Sequence, residues 1–344
     1  MNTETRDLIM ANEAALESFL GHFNLAVAAS TTEVPCADVW RESQLIALLS
    51  AIKKKLHAEG FGTSALPSNH GLIDQLQRIG LATPLVVRPA GNGPPGPPAP
   101  KFFRVEIGAG RGNQPTDVAE ILQAYLPRGV LCYSSALRFY HLTSQSFSFQ
   151  HIADVVTASA DGAPDRKALA AQPEQPSVHA RRAEMSPGPA KPRNSLGVLR
   201  FVFDGIACYT TRRHPRTVPG IQERILSPRA RLRITTFEQT LLDTLHKPFY
   251  CGGPAIVFEA WHQHPERLNQ PKLAQLLAAI GHDPLARRTG LMLENLEYAL
   301  EPGLAGFMAD VLGRIDRKEE RLLLPLLPGL PYTSRNEKWM LLVP

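Results

Sequence analysis

Four side chains in the second half of the chain, His246, Cys251, His262 and His264, are of types that bind transition metals. Their spacing works against a shared ion. His262 and His264 lie two residues apart, so a helix turns them about 200° from each other, and neither has a His or Cys partner four residues on. His264 precedes Pro265 and reads as a helix end, where an imidazole complements the dipole. Glu238 and Asp243 are the types used in acid–base catalysis, but five residues apart on one helix they point to different sides. Glu238 suits the dipole of a first turn, and Asp243 can pair with an arginine of the preceding strand. The run GAGRG at 108–112 lacks the Lys-Ser/Thr of a phosphate-binding loop and reads as a linker. Ser134 and Ser135 are not framed by a Gly-x-Ser-x-Gly elbow. The reading is therefore of a protein that is not an enzyme, with no catalytic residues, no metal and no cofactor.

A second set of side chains suits nucleic acid. Around a helix starting near Ser68, the exposed face would carry Asn69, His70, Asp74, Gln75, Gln77 and Arg78. Asn and Gln can pair two-pronged with adenine, and Arg with guanine. Arg88, Lys101 and Arg104 are placed to reach phosphates. Further on lie Arg212, Arg213, Arg216, Arg224, Arg229, Arg231 and Arg233. Arg229, Arg231 and Arg233 alternate and so would share one face of a strand. That set is either a solvated sheet face or a surface for nucleic acid or a partner, and the spacing leaves both open.

The elements that must position these residues follow from pattern. The 344 residues carry a formal charge of +5. Residues 1–110 hold 9 Lys+Arg against 10 Asp+Glu, 241–344 hold 11 against 12, and 111–240 hold 17 against 10. A basic middle favours a polyanion, although its arginines partly fall where solvated charge is the ordinary outcome. Four dispersed cysteines fit a reducing compartment, and with no long apolar run the reading is cytoplasmic.

Residues 1–35 read as an N-terminal arm with a short helix (Leu8, Ala11, Ala15, Phe19) and a linker. Residues 36–110 read as a winged helix-turn-helix. Helix 41–58 buries Leu45, Leu48, Leu49, Ile52 and Leu56; a short turn follows at 63–66; a third helix buries Leu72, Ile73, Leu76 and Ile79. Strands at 84–88 and 101–107 then form the wing, around a tip (89–100) in which nine of twelve residues are Pro or Gly. A second domain, 115–344, is mixed α/β with a helical second half. It has helices at 116–126 and from 134, strands at 147–156 and 199–207, and an insertion at 157–195 too polar to offset its ordering entropy. Helices are expected at 236–247, 254–263, 270–280, 284–300 and 304–320. An extended 322–331 and a last strand at 339–343 close the chain. The fold class is α+β.

Residues 231–260 are the centre of this second domain. A strand at 231–235 leads to Thr236 and Gln239, spaced as a capping box in which the glutamine reaches back to the cap. Phe237, Leu241, Leu242 and Leu245 then form one buried stripe. The run TTFEQTLLD at 235–243, with Lys247-Pro248 and Gly252-Gly253, resembles the signature of the AbiEi family of type IV antitoxins. Gln239 stands where that family usually has Arg. GVLCYSSALRFYHL at 129–142, GLMLE at 290–294 and KWML at 338–341 resemble further family pieces in the same order, the first lacking a family glycine. The resemblance covers 129–341. It implies a DNA-binding antitoxin that represses its own operon and counters a nucleotidyltransferase-like toxin, with operator DNA as partner, more than one copy on DNA, and toxin contact direct or indirect. An interaction adaptor using the winged helix, or an enzyme acting on RNA or nucleotides, are the other classes the residues leave open.

Overall fold

The computed structural model describes residues 3–30, 38–61, 66–89, 99–106, 115–156, 196–227, 230–316, 323–327 and 330–344, with side chains from Glu13 onward. The expected turn at 63–66 (apart from Leu66), the wing tip from 90 to 98, the glycine run at 108–112, the insertion at 157–195 and Arg229 lie outside them. The chain is α+β and forms two compact units. The first contains Met1–Arg128, Arg200–Ala207 and Glu223–Arg233; the second contains Gly129–Leu199, Cys208–Gln222 and Ile234–Pro344. Among the described residues no helix is long and apolar enough to cross a membrane.

The first unit opens with α1 (Thr3–Ala29), which is neither short nor an arm. Ala15, Phe19, Phe23 and Val27 repeat every four residues, and this stripe is buried against α2. The expectation of an arm stopped at Phe19; the spacing continues for two more turns. Strand β1 (Val39–Arg41) leads into α2 (Glu42–Ala58), where the Arg41 amide donates to Gln44 Oε1 at 3.0 Å. Leu45, Leu49, Ile52 and Leu56 are buried, while Leu48 is only partly so. Helix α3 (Asn69–Arg78) starts where Ser68 Oγ accepts from the Gly71 amide and stops before Gly80, whose φ of +77° needs glycine. Leu72, Ile73 and Leu76 are buried, but Ile79 caps the helix and stays 54% exposed.

Strands β2 (Ala82–Leu85) and β4 (Phe102–Val105) follow, and a three-stranded sheet runs β1-β4-β2 with β4 antiparallel to both neighbours. Pro84 is tolerated because β2 is an edge. The strand expected over 84–88 breaks at Val86. Beyond it β3 (Val87–Pro89) leaves the β2–β4 pair and joins β7 (Val198–Phe203) antiparallel, Arg88 facing Val202. Strand 199–207 also divides: β7 and β8 (Ile206–Arg213) form a hairpin through Asp204-Gly205, both at positive φ. An Asp-Gly pair is the residue choice such a turn requires. Helix α4 (Val118–Tyr125) and a hairpin of β9 (Ile221–Ser227) with β10 (Ala230–Thr235) complete the unit, so its boundary is not a single cut near residue 110.

In the second unit β5 (Val130–Cys132) pairs parallel with β10 and antiparallel with β6 (Phe149–Val155), next to which runs β8. Tyr133, at φ 53° and ψ −126°, makes the sharp passage from β5 into α5 (Ser134–Tyr140). Helices α6 (Phe237–His246), α7 (Pro254–His262), α8 (Gln270–Ile280), α9 (Asp283–Asn295) and α10 (Pro302–Arg314) follow. The last two end before the expected 300 and 320. The chain closes on a small sheet β11-β13-β12 (Leu324–Pro325, Leu341–Val343, Ser334–Asn336), in which the extended 322–331 connection supplies the short strand β11. Gly290 of α9 lies under the indole of buried Trp339, whose Nε1 donates to Glu294 Oε2 at 2.8 Å.

Candidate nucleic-acid interface and the polar core of the second unit

Each helix–sheet position fixes what its side chain can reach. On α3, His70, Asp74 and Arg78 are exposed and Gln77 is half-buried. Their spacing of four, seven and eight residues puts them on one outward stripe. Asn69 is committed elsewhere: its Nδ2 donates to Ser50 Oγ of α2 at 2.7 Å, tying the two helices. Gln75 faces inward toward α1; it lines an apolar groove with Leu16, Phe19, Leu20 and Ile79, and its Oε1 is buried without a partner among the described residues. Asn69 and Gln75 therefore do not share the outward stripe, because a helix this short presents few positions away from its neighbours.

The cations expected to reach phosphates are partly neutralised. Lys101 Nζ lies 3.3 Å from Glu42 Oε1, and Arg104 pairs closely with Glu106. Arg88 is exposed, but on β3 rather than in the β2–β4 pair. The structure thus brings Lys101 and Arg104 to one sheet with α3 and takes Arg88 away from it.

The arginine-rich middle also divides. Arg212, Arg216 and Arg231 are exposed, and half-buried Arg233 donates to the Arg128 carbonyl. Arg213 is not surface at all. Neighbouring strand residues face opposite ways, so with Arg212 outward Arg213 points into the core. There its two terminal nitrogens meet Asp243 Oδ2 and Oδ1 at 2.6 and 2.7 Å, with side chains 3% and 1% exposed. Burial works against its charge, but the Asp243 carboxylate outweighs this and raises the Arg213 pKa. Asp243 was expected to find an arginine on the strand before its helix; its partner comes from β8 instead.

Around this pair the run 235–243 acts as a polar clamp. Thr236 Oγ1 caps α6 by accepting from the Gln239 amide. The second half of the expected capping box does not form. Gln239 Oε1 accepts from the Gly220 amide, and its Nε2 donates to Asp243 Oδ1 at 2.9 Å. A Cβ on Gly220 would fall 2.8 Å from Gln239 Cβ, so glycine lets the chain approach closely enough for this bond. Glu238, on another side of the helix, meets Lys272 at 3.3 Å.

One constellation escaped the sequence. Ser134 Oγ lies 2.9 Å from His151 Nδ1, and His151 Nε2 lies 2.9 Å from the Leu196 carbonyl. A carbonyl only accepts, so Nε2 carries the proton and Ser134 donates to Nδ1. Serine, imidazole and an orienting acceptor are the parts of an activated nucleophile. Both side chains are fully buried, however, and His151 is stacked between Tyr209 and Tyr250. Among the described residues neither Ser134 nor His151 is open to solvent. Because the partners lie 17 and 45 residues from His151, no local spacing could have revealed them.

Burial pushes the His151 pKa down from 6.5 to about 4, partly offset by the Leu196 carbonyl. Since the folded value is the lower, unfolded chain binds more protons between these limits. Stability is complete above pH 6.5 and falls toward pH 4, by up to about 3 kcal/mol. Thermal melts across that range should show the loss in the wild type and a shallower slope in His151→Gln. Equal slopes would remove His151 as the cause.

Among the described residues no group of three His, Cys, Asp or Glu is placed to hold a metal ion. As a class, the chain is an α+β protein with a helix-and-sheet N-terminal unit and a polar-clamped second unit. No family model matches it, and no curated protein matches it. A solved structure of the RV2827C protein from Mycobacterium tuberculosis is similar over 92% of this chain and 89% of that chain, at 13% identity and a TM-score of 0.45.

Proposed function

We propose that the first unit is a winged-helix DNA-binding module and that the protein is an operon-repressing antitoxin of the AbiEi type. The observation that carries the DNA reading is the element order α1-β1-α2-α3-β2-β4 with β4 between β1 and β2. Such an arrangement backs a capped helix with a small sheet and leaves the helix's outer stripe free for the major groove. His70, Gln77 and Arg78 then read bases, and Lys101 and Arg104 exchange Glu42 and Glu106 for phosphates. The antitoxin part rests on the resemblance across 129–341, whose four pieces carry interior contacts in the second unit. Its partners would be operator DNA and a nucleotidyltransferase-like toxin.

The test is a gel-shift titration of the full chain against DNA upstream of its own gene, at two salt concentrations. Arg78→Ala should weaken specific binding by about tenfold or more and relax base preference at one position. Lys101→Ala should weaken all DNA alike and flatten the salt dependence. Absence of any salt-sensitive binding would overturn the DNA reading. It would favour protein contact through the apolar groove of about 230 Å³ beside α3, at whose edge Ile79 stands exposed. Co-expression with the neighbouring toxin gene tests the antitoxin role separately: growth should be restored by the full chain.

A further inference from the structure

The groove between α1 and α3 contains parts that the DNA reading does not need. Helix α1 contributes Leu16, Phe19 and Leu20 to it, and α3 contributes Leu72 and Leu76, with Ile79 at the edge. Phe19, Leu72 and Leu76 are fully buried, so the groove has an apolar floor. Two polar groups interrupt it. Gln75 stands in the stripe 72, 75, 76 and 79 of α3 that borders the groove, a position where leucine would continue the packing. Its Oε1 is buried with no hydrogen-bond partner among the described residues. A buried acceptor in that state is costly unless something meets it. Arg78, about one turn further on, also lines the groove. It is exposed, and its guanidinium has no partner among the described residues.

These parts fix the chemistry of an occupant. The walls call for apolar surface, the Gln75 oxygen for an N–H or O–H donor, and Arg78 for an anion. Among the described residues no acidic side chain lines the groove, so a metal cation or an amine would meet Arg78 with nothing to offset it. Residues three apart on a helix carry Cβ atoms about 5–6 Å from each other, so one flat molecule can span both groups. The volume, about 230 Å³, sets its size. An apolar cavity of about 150 Å³ takes benzene, so this one is large enough for a fused pair of rings. A stable protein interface covers on the order of 800 Å² on each partner. Of the residues lining the groove only Ile79 is a large apolar side chain left exposed, which suits a small molecule better than a protein segment.

We propose that this groove binds a small aromatic carboxylic acid whose ring carries an N–H or O–H group. The ring lies on Phe19, Leu72 and Leu76, its donor goes to Gln75 Oε1, and its carboxylate pairs with Arg78. The site stands whether or not the first unit binds DNA. One consequence rests on the DNA reading: an Arg78 held by the ligand is withdrawn from the bases, so the ligand releases operator DNA.

The experiment uses the full chain, with its isoleucine and leucine methyl groups labelled and followed by NMR. Three probes are added in turn: indole-3-acetate, naphthalene-1-acetate, which lacks the N–H, and indole, which lacks the carboxylate. Indole-3-acetate should shift the methyls of Leu16, Leu20, Leu72 and Ile79 saturably, and bind about tenfold more tightly than either of the others. Gln75→Leu should reduce its affinity to that of naphthalene-1-acetate, leave the latter's unchanged and keep the melting temperature. Arg78→Gln should remove its advantage over indole. Methyls that stay unmoved, equal binding of the three probes, binding unchanged in both variants, or shifts scattered outside the groove overturn the proposal. So do shifts of these methyls that grow with protein concentration and need no probe, which would name a second copy of the chain as the occupant. In a gel shift with the upstream DNA, saturating indole-3-acetate should weaken binding about tenfold. Probe binding without that loss keeps the site and overturns its coupling to DNA. A chain that takes the probe and never binds DNA overturns the DNA reading alone.

Discussion

Replacing Gly290 by alanine is expected to destabilise the second unit by about 3 kcal/mol, although alanine is the better helix former. Propensity alone favours the change by about 1 kcal/mol. Packing opposes it more strongly. A Cβ at 290 would fall 2.2 Å from Trp339 Cη2 and 2.4 Å from Cζ2, so the indole has to leave its place. Trp339 is 1% exposed, and it gives its Nε1 proton to Glu294 one helical turn along from the glycine. Displacing it opens the seat of a large aromatic, a cost of the order of 1–3 kcal/mol, and breaks the Nε1 bond to Glu294, whose exposed carboxylate keeps Lys338. The backbone of the same segment is held from the other side, where Arg287 Nε donates to the Trp339 carbonyl at 2.7 Å. The closing sheet therefore has little room to adjust. The measurement is a pair of denaturant titrations read by tryptophan fluorescence, with Trp339→Leu and the double variant completing a cycle. Gly290→Ala should be far less harmful in the Trp339→Leu background. An equal penalty in both backgrounds would mean that the clash with the indole is not its cause.

That example shows what the sequence could and could not disclose. The runs GLMLE and KWML were visible as separate pieces, and helical periodicity placed the first on a helix. Only the fold shows that they form one contact, because 49 positions separate Gly290 from Trp339. Elements with strong local period were legible: α2, α3, α6 and α8 fall within a residue or two of their expected limits. Local patterns that were present but passed over account for two misses. The four-residue repeat of α1 runs through Phe23 and Val27, and Asp204-Gly205 is an ordinary hairpin turn. The pairing of β3 with β7 was not legible, since 114 positions separate Arg88 from its register partner Val202 and neither strand alternates cleanly. Site residues fared by the same rule. Exposure of His70 and Arg78 follows from the stripe on α3, whereas the burial of Arg213 depends on which face of β8 the core occupies.

Truncating Asp243 to alanine is expected to cost the most of any single change, about 3–5 kcal/mol, because it leaves a guanidinium buried and uncompensated. Arg213 cannot escape by losing its proton, since arginine stays charged in proteins. It would keep the Thr217 carbonyl at 2.8 Å and the face of Tyr133, whose ring centroid lies 5.0 Å from Cζ. Neither replaces a carboxylate gripped through both oxygens. Gln239 would lose an acceptor as well, loosening the link that runs through it to the Gly220 amide. The opposite expectation holds when both charges go. Arg213→Met with Asp243→Leu removes two desolvation penalties together with the attraction, and should recover most of the lost stability. Urea titrations of the two single variants and the double variant decide the matter. Strong loss in each single with recovery in the double would show that the pair costs about as much to bury as it returns, and that its value lies in fixing where β8 meets α6. A double variant as unstable as Asp243→Ala would instead make the charged pair itself the source of stability. The clamp at 235–243 would then be a stabilising network rather than a specifying one.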